Sequence, residues 1–198
     1  FTPEQLENIR YSVETDYTGC PDEQDDFSEY YLINNCNING CTNPEADNYN
    51  PDATVDDGSC CIELWDECYN IEETTNLSLV GDQLTGEIPS EIGNLTNLEI
   101  LQLQYNQLTG EIPSEIGNLT NLILLRLYTN QLTGEIPSWI GNLTNLTHLE
   151  LLNNQLSGLI PDNLCDVDNV YLTENKLCPP YPDCLNEEDI GYQDTSEC

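Results

Sequence analysis

Ten cysteines, one histidine and 37 acidic residues are the groups in this 198-residue chain from which chemistry could be built. The cysteines are Cys20, Cys36, Cys41, Cys60, Cys61, Cys68, Cys165, Cys178, Cys184 and Cys198, with none between Cys68 and Cys165. A zinc site would want CxxC pairs with histidine support. No CxxC occurs and His148 stands alone, so the cysteines read as disulfides made in an oxidising compartment. Paired thiols leave Cys/His catalysis without a nucleophile. A Ser/His/Asp set could use only His148, and no Gly-x-Ser-x-Gly elbow accompanies it. His148 is therefore expected as a solvent-facing contact residue, and the chain is expected not to be an enzyme.

Three Lys+Arg against the 37 acids give a net charge of −34. Binding to phosphate backbones or anionic lipid needs clustered Lys/Arg to displace counterions, so nucleic-acid and membrane-surface roles are excluded. Such a charge also strains the compact state unless salt or cations screen it, so a saline or calcium-containing medium is expected. The chain starts at Phe1 without Met, shows no charged-then-apolar leader, and has no apolar run near the roughly 18 residues of a membrane helix. These features predict a processed, secreted, soluble product, extracellular or at the cell surface, with no direct membrane insertion.

The elements that must position any site follow from self-similarity. LTGEIPSEIGNLTNLEILQLQYNQ begins at Leu84, returns as LTGEIPSEIGNLTNLILLRLYTNQ at Leu108 and as LTGEIPSWIGNLTNLTHLELLNNQ at Leu132, a period of 24; a shorter copy, LSGLIPDNLCDVDNVYLTENK, begins at Leu156. One unit cannot bury its Leu face alone, so the units must stack. These residues resemble the leucine-rich repeat family in its plant-type LTGxIP variant. The resemblance implies an α/β-type repeat solenoid: a right-handed superhelix with a short parallel sheet, 3₁₀ turns and disulfide caps. It places Leu98, Leu101, Leu103, Leu122, Leu125, Leu127, Leu146, Leu149 and Leu151 inward. Asp82, Asn106, Asn130, Asn154 and Asn175 take the family's Asn position, where a side chain can bond backbone as the chain leaves the strand. CCIELWDEC from Cys60 and NKLCPPYPDC from Asn175 resemble its two caps. Taking near neighbours, the expected disulfides are Cys20–Cys36, Cys41–Cys60, Cys61–Cys68, Cys165–Cys178 and Cys184–Cys198.

The expected organisation is an N-terminal extension over 1–39, an acidic disulfide loop over 40–60, a cap with the first strand over 61–82, repeats over 83–164 and a C-terminal cap over 165–198. In the extension, Thr2, Pro3 and Gln5 read as a helix start, with Phe1 and Leu6 as a hydrophobic staple and a helix to about Val13. FSEYYLI, carrying Phe27, Tyr30, Tyr31 and Ile33, is strand-like and aromatic. It either covers the first repeat of its own molecule or, with Phe1, mates with a neighbour. GCTNPEADNYNPDATVDDGSC from Gly40 resembles a small acidic module of secreted marine bacterial proteins. Asp47, Asn48, Asn50, Asp52, Asp56 and Asp57 there read as ligands for Ca2+, the one cofactor considered, or as an Asx-turn loop without an ion.

Repeat position puts Ile100, Gln102, Leu124, Arg126, Tyr128, His148, Glu150 and Leu152 on the exposed concave face, with Tyr105 beside them and Gln104 in the Tyr128 column. Tyr and Arg amid apolar residues are what an interface centre carries. Five strands at about 4.8 Å make a sheet only about 19 Å across, a footprint for a peptide, a glycan or one face of another subunit. The expected function is recognition or adhesion by noncovalent contact with a protein, peptide or glycan. The alternatives are a structural subunit that self-assembles into an extracellular filament or surface layer through the extension, and an inhibitor of a secreted hydrolase.

Overall fold

The computed structural model describes residues 38–196 and 198. The expected helix to Val13, the FSEYYLI strand and the Cys20–Cys36 bridge lie outside the described residues. The chain divides into two compact units, Phe1–Cys60 and Cys61–Cys198.

In the described part of the first unit, β1 (Asn39–Gly40) pairs in parallel with β2 (Val55–Asp56), and Cys41–Cys60 closes the loop as expected. Its loops are shaped by side chains that bond backbone two residues on. The Asn43, Asn50, Asp56 and Asp57 oxygens accept from the amides of Glu45, Asp52, Gly58 and Ser59. These are Asx turns, which Asp and Asn form without help from distant residues.

The second unit opens with a hairpin of β3 (Cys61–Leu64) and β4 (Glu67–Asn70), stapled by Cys61–Cys68 as expected. Its tight turn places Trp65 and Asp66 at positive φ. The coils then lay down β5 (Asn76–Ser78), β6 (Thr85–Glu87), β7 (Ile100–Gln102), β8 (Gln107–Thr109), β9 (Leu124–Arg126), β10 (His148–Glu150), β11 (Ser157–Leu159), β12 (Asn169–Tyr171) and β13 (Lys176–Cys178). The strands β5, β7, β9, β10 and β12 form one parallel sheet in that spatial order. Between strands run 3₁₀ turns η1 (Ser90–Asn94), η2 (Ser114–Asn118), η3 (Ser138–Asn142) and η4 (Asp162–Asp166), each preceded by a proline in extended conformation. On the LTGxIP side, β6–β8 and β11–β13 pair in parallel. This is the solenoid, with parallel sheet, 3₁₀ turns and disulfide caps, that the resemblance implied.

Stacking explains the repeat. Leu101, Leu125 and Leu149 occupy one register across β7, β9 and β10 and are wholly buried, as are Leu98, Leu103, Leu122, Leu127 and Leu151, with Leu146 nearly so. Burying one such side chain contributes about 1.5 to 3 kcal/mol, but only when the next coil covers it. Close approach is what the repeated glycine supplies: a Cβ on Gly93 would lie 2.5 Å from the Glu115 carbonyl oxygen of the next coil.

The Asn positions form a ladder. Asn130 accepts from Leu108 N–H (3.0 Å) and donates to the carbonyls of Leu103 (2.9 Å) and Leu127 (3.0 Å). Asn106, Asn154 and Asn175 repeat the pattern between their own coils. Asp82, expected as its first rung, is exposed and takes no part among the described residues. A carboxylate has no N–H to offer the strand carbonyls.

The C-terminal cap corrects two disulfides. The structure joins Cys165–Cys184 and Cys178–Cys198, with Cα separations of 5.7 and 5.6 Å, in place of the expected Cys165–Cys178 and Cys184–Cys198. Pairing of β13 with β11 sets Cys178 beside Leu159, on the LTGxIP edge, whereas Cys165 sits past the following turn in η4. Neighbours in sequence are thus assigned to different edges of one coil, and the residues after Pro182 carry Cys184 back to Cys165. The chain then covers the last strand through α1 (Glu187–Ile190), whose N-cap Asn186 and Asp189 form a reciprocal capping box.

Candidate binding face

Register in the main sheet aligns the concave side chains into columns. One runs Asn76, Ile100, Leu124, His148, Asn169 and the next Ser78, Gln102, Arg126, Glu150, Tyr171. The central strands β9 and β10 therefore bring together Leu124, Arg126, His148 and Glu150, and none of these four is fully buried.

Arg126 is tied across the strand gap: its Nε donates to Glu150 Oε1 at 2.8 Å, with the two side chains 33% and 16% exposed. The only described arginine on the face is thus neutralised within the sheet. Beside it, Tyr105 and Tyr128 meet edge to face, ring centroids 5.0 Å apart at 79°. Burial chiefly, then the hydrogen bond with Tyr105 and the charges of Tyr105 and Glu150, pushes the Tyr128 phenol up, while Arg126 pulls it down. Tyr105 is 56% exposed although its backbone is left-handed, φ +61°. At the same place in the preceding coil stands Gly81, φ +74°. A bulky residue with positive φ is held there against a conformational cost of about 1 kcal/mol or more.

His148 Nδ1 lies 2.9 Å from the Thr147 hydroxyl, its immediate neighbour. Ile100 and Leu152 are half-buried, flanking the Tyr pair and the ion pair. The face adds two exposed apolar residues at its margins, Ile123 and Tyr171. Gln104 corrects the expected column: it is only 5% exposed, and among the described residues its side-chain oxygen has no hydrogen-bond partner. Sequence position put it outward; the neighbouring coils cover it.

The acidic loop offers less convergence. Asn50, Asp56 and Asp57 spend oxygens on their own turns, and Asn48 donates to the Ser59 carbonyl at 2.7 Å. Hydrogen bonds from Ser59 hold the Asp57 carboxyl below the usual carboxylate range. Asp47 and Asp52 are exposed, and among the described residues no three acidic, cysteine or histidine side chains come together to hold a metal. The assembly candidates Phe1, Phe27, Tyr30, Tyr31 and Ile33 lie outside the described residues. No described helix is long and apolar enough to cross a membrane.

The coil geometry has relatives. A sequence profile described as a leucine-rich repeat region matches residues 72–169. Among curated proteins no sequence matches. Among solved structures, the BIR3–SERK2 complex from Arabidopsis thaliana contains a chain 32% identical over 67% of this chain and 72% of that one, TM-score 0.55. The leucine-rich repeat ectodomain of the receptor kinase SOBIR1 from Arabidopsis thaliana is 33% identical over 52% of this chain and 58% of that one, TM-score 0.50. A plant ice-binding protein is 36% identical over 52% of this chain, TM-score 0.51, and this chain spans only 34% of its length. On this likeness in sequence and structure, this chain belongs to the leucine-rich repeat family.

Proposed function

We propose that this chain is an extracellular recognition or adhesion protein, secreted or displayed at a cell surface, that binds a protein or peptide partner noncovalently through its concave sheet. The observation that carries the reading is the Tyr105–Tyr128 pair set against the Arg126–Glu150 pair. Aromatic and arginine anchors at the centre of a face, ringed by half-buried Ile100, Leu124 and Leu152, are the composition of an interface hot spot. Four cystines among the described residues suit an oxidising exterior. The BIR3–SERK2 relative is a complex between proteins, which favours a protein partner here as well. At −34 the chain attracts cationic partners and repels anionic ones, so the expected ligand is an extended segment carrying Lys or Arg beside an apolar residue.

The test selects phage-displayed random 12-residue peptides on the full chain. The reading expects Lys/Arg-rich peptides whose affinity falls with salt and falls at least about tenfold, about 1.4 kcal/mol, in Tyr105→Ala and Tyr128→Ala. Selected peptides that bind both variants as tightly as the parent, or the enrichment of none, overturn it.

A further inference from the structure

The two margins of the main sheet are finished differently. In β7 the backbone groups of Ile100, Gln102 and Gln104 point to β5, where the partners are Thr75, Leu79 and Gly81: Ile100 N–H to Thr75 O, Leu79 N–H to Gln102 O and Gly81 N–H to Gln104 O. In an extended strand backbone groups alternate sideways. Asn76, Ser78 and Val80 therefore turn theirs away from β7, and among the described residues nothing hydrogen-bonds to them. Among the described residues β5 is the last strand of the sheet on that side. At the far margin two outward amides just past β12 are met. Leu172 N–H donates to Asp189 O at 2.8 Å and Glu174 N–H to Tyr192 O at 2.7 Å.

The first coil also leaves apolar side chains half covered, as do Trp139, Tyr181 and Leu185 further along. Trp65, Tyr69, Ile71, Leu79 and Leu84 pack on the core but remain only partly buried, and Val80 is 41% exposed. An open strand edge beside half-covered apolar side chains is the arrangement to which a further strand adds, because main-chain bonds and side-chain burial are gained together.

We propose that the free edge of β5 takes the segment Phe27–Ile33, FSEYYLI, of a second copy as an additional strand, so that copies join head to tail. The segment suits the edge on three counts. Seven residues extend about 23 Å, enough to run past Thr74 to Val80. Five of the seven are aromatic or aliphatic, and either face of the strand brings apolar groups, Phe27, Tyr31 and Ile33 or Tyr30 and Leu32, to the half-covered end. Only Glu29 is charged, so the contact itself adds little to the repulsion between copies. The edge and the added segment are different parts of the chain, so the contact is heterologous and generates an open chain of subunits unless the rotation closes a ring. Self-repulsion at −34 per copy is screened over about 10 Å at 0.1 M salt and about 3 Å at 1 M, which makes assembly salt-dependent. The inference rests on the β5 edge and stands apart from the concave-face reading.

Sedimentation velocity and electron microscopy of the full chain, at about 10 mM and about 1 M NaCl, test it. The expectation is concentration-dependent chains of subunits at high salt, dissolved by excess synthetic FSEYYLI and not by a scrambled peptide. Ser78→Pro removes one outward N–H without touching a bond to β7, and should weaken association at least about tenfold, while Ser78→Ala leaves it unchanged. Monomers at every concentration and salt overturn the inference. So do assemblies that the peptide leaves intact. Should Ser78→Pro fail to fold by circular dichroism, the peptide competition decides alone.

Discussion

Replacing Asn130 with Ala removes one rung of the ladder: the buried Leu108 N–H loses its acceptor, while the carbonyls of Leu103 and Leu127 each lose one donor and keep the side chains of Asn106 and Asn154. A buried group left unpaired costs about 1 to 3 kcal/mol. The two carbonyls stay paired, so the single orphaned amide sets the scale, roughly 2 to 3 kcal/mol against a total stability of about 5 to 15 kcal/mol. Asn97→Ala is the control. Its single bond, to the Glu72 carbonyl at 2.9 Å, lies at an exposed position, where the loss should be about 1 kcal/mol or less. Urea unfolding with the cystines intact measures both, and amide exchange at Leu108 reports whether the rung itself opened. If Asn130→Ala costs no more than Asn97→Ala, or Leu108 stays protected, the ladder is a by-product of coiling and not a cause of it.

Further outcomes follow from single contacts. Gly93→Ala should destabilise by several kcal/mol because its Cβ meets a backbone oxygen, whereas Gly86→Ala, with nothing within 4 Å but φ +81°, should cost only about 1 to 2 kcal/mol; equal unfolding midpoints would contradict this. Burial first, then the hydrogen bond to Glu67 and the charges of Glu67 and Asp82, pushes the Tyr69 phenol up to about 12 from 10.0. The folded state thus favours the neutral phenol, so that stability is complete below pH 10 and lost as pH rises towards 12. Tyr69→Phe should lack that loss and one late step in the absorbance titration, and an unchanged titration curve refutes the assignment. Arg126→Ala and Glu150→Ala should each change stability by less than about 1 kcal/mol in urea unfolding, since the pair is partly exposed; a larger loss means the pair holds the sheet. Peptide mapping of unreduced protein should recover Cys165 linked to Cys184 and Cys178 linked to Cys198.

Much of the concave face was legible because repeat position fixes which way a side chain points. Arg126, Tyr128, His148 and Glu150 stand where the period placed them, in columns set by strand register. What the period could not give is how neighbours in the columns satisfy one another. The Arg126–Glu150 bond joins residues 24 apart and the Tyr105–Tyr128 ring contact joins two coils, whereas the left-handed backbone at Tyr105 is itself periodic and returns at Thr129 and Asn153. Gln104 was misplaced for the same reason: exposure depends on the coils either side as well as on the strand's alternation.

The sequence by itself determined the coil: a 24-residue period with Leu at fixed steps can bury its apolar face only by stacking, and Asn, Pro and Gly at fixed offsets set where each coil turns. Tertiary structure alone decided the cystine partners of the C-terminal cap, the internal pairing of Arg126 and the open margin at β5. Local periodicity is written in one unit of chain, while these three depend on which distant segments arrive beside one another, at ends where the repeat stops and no longer dictates its neighbour.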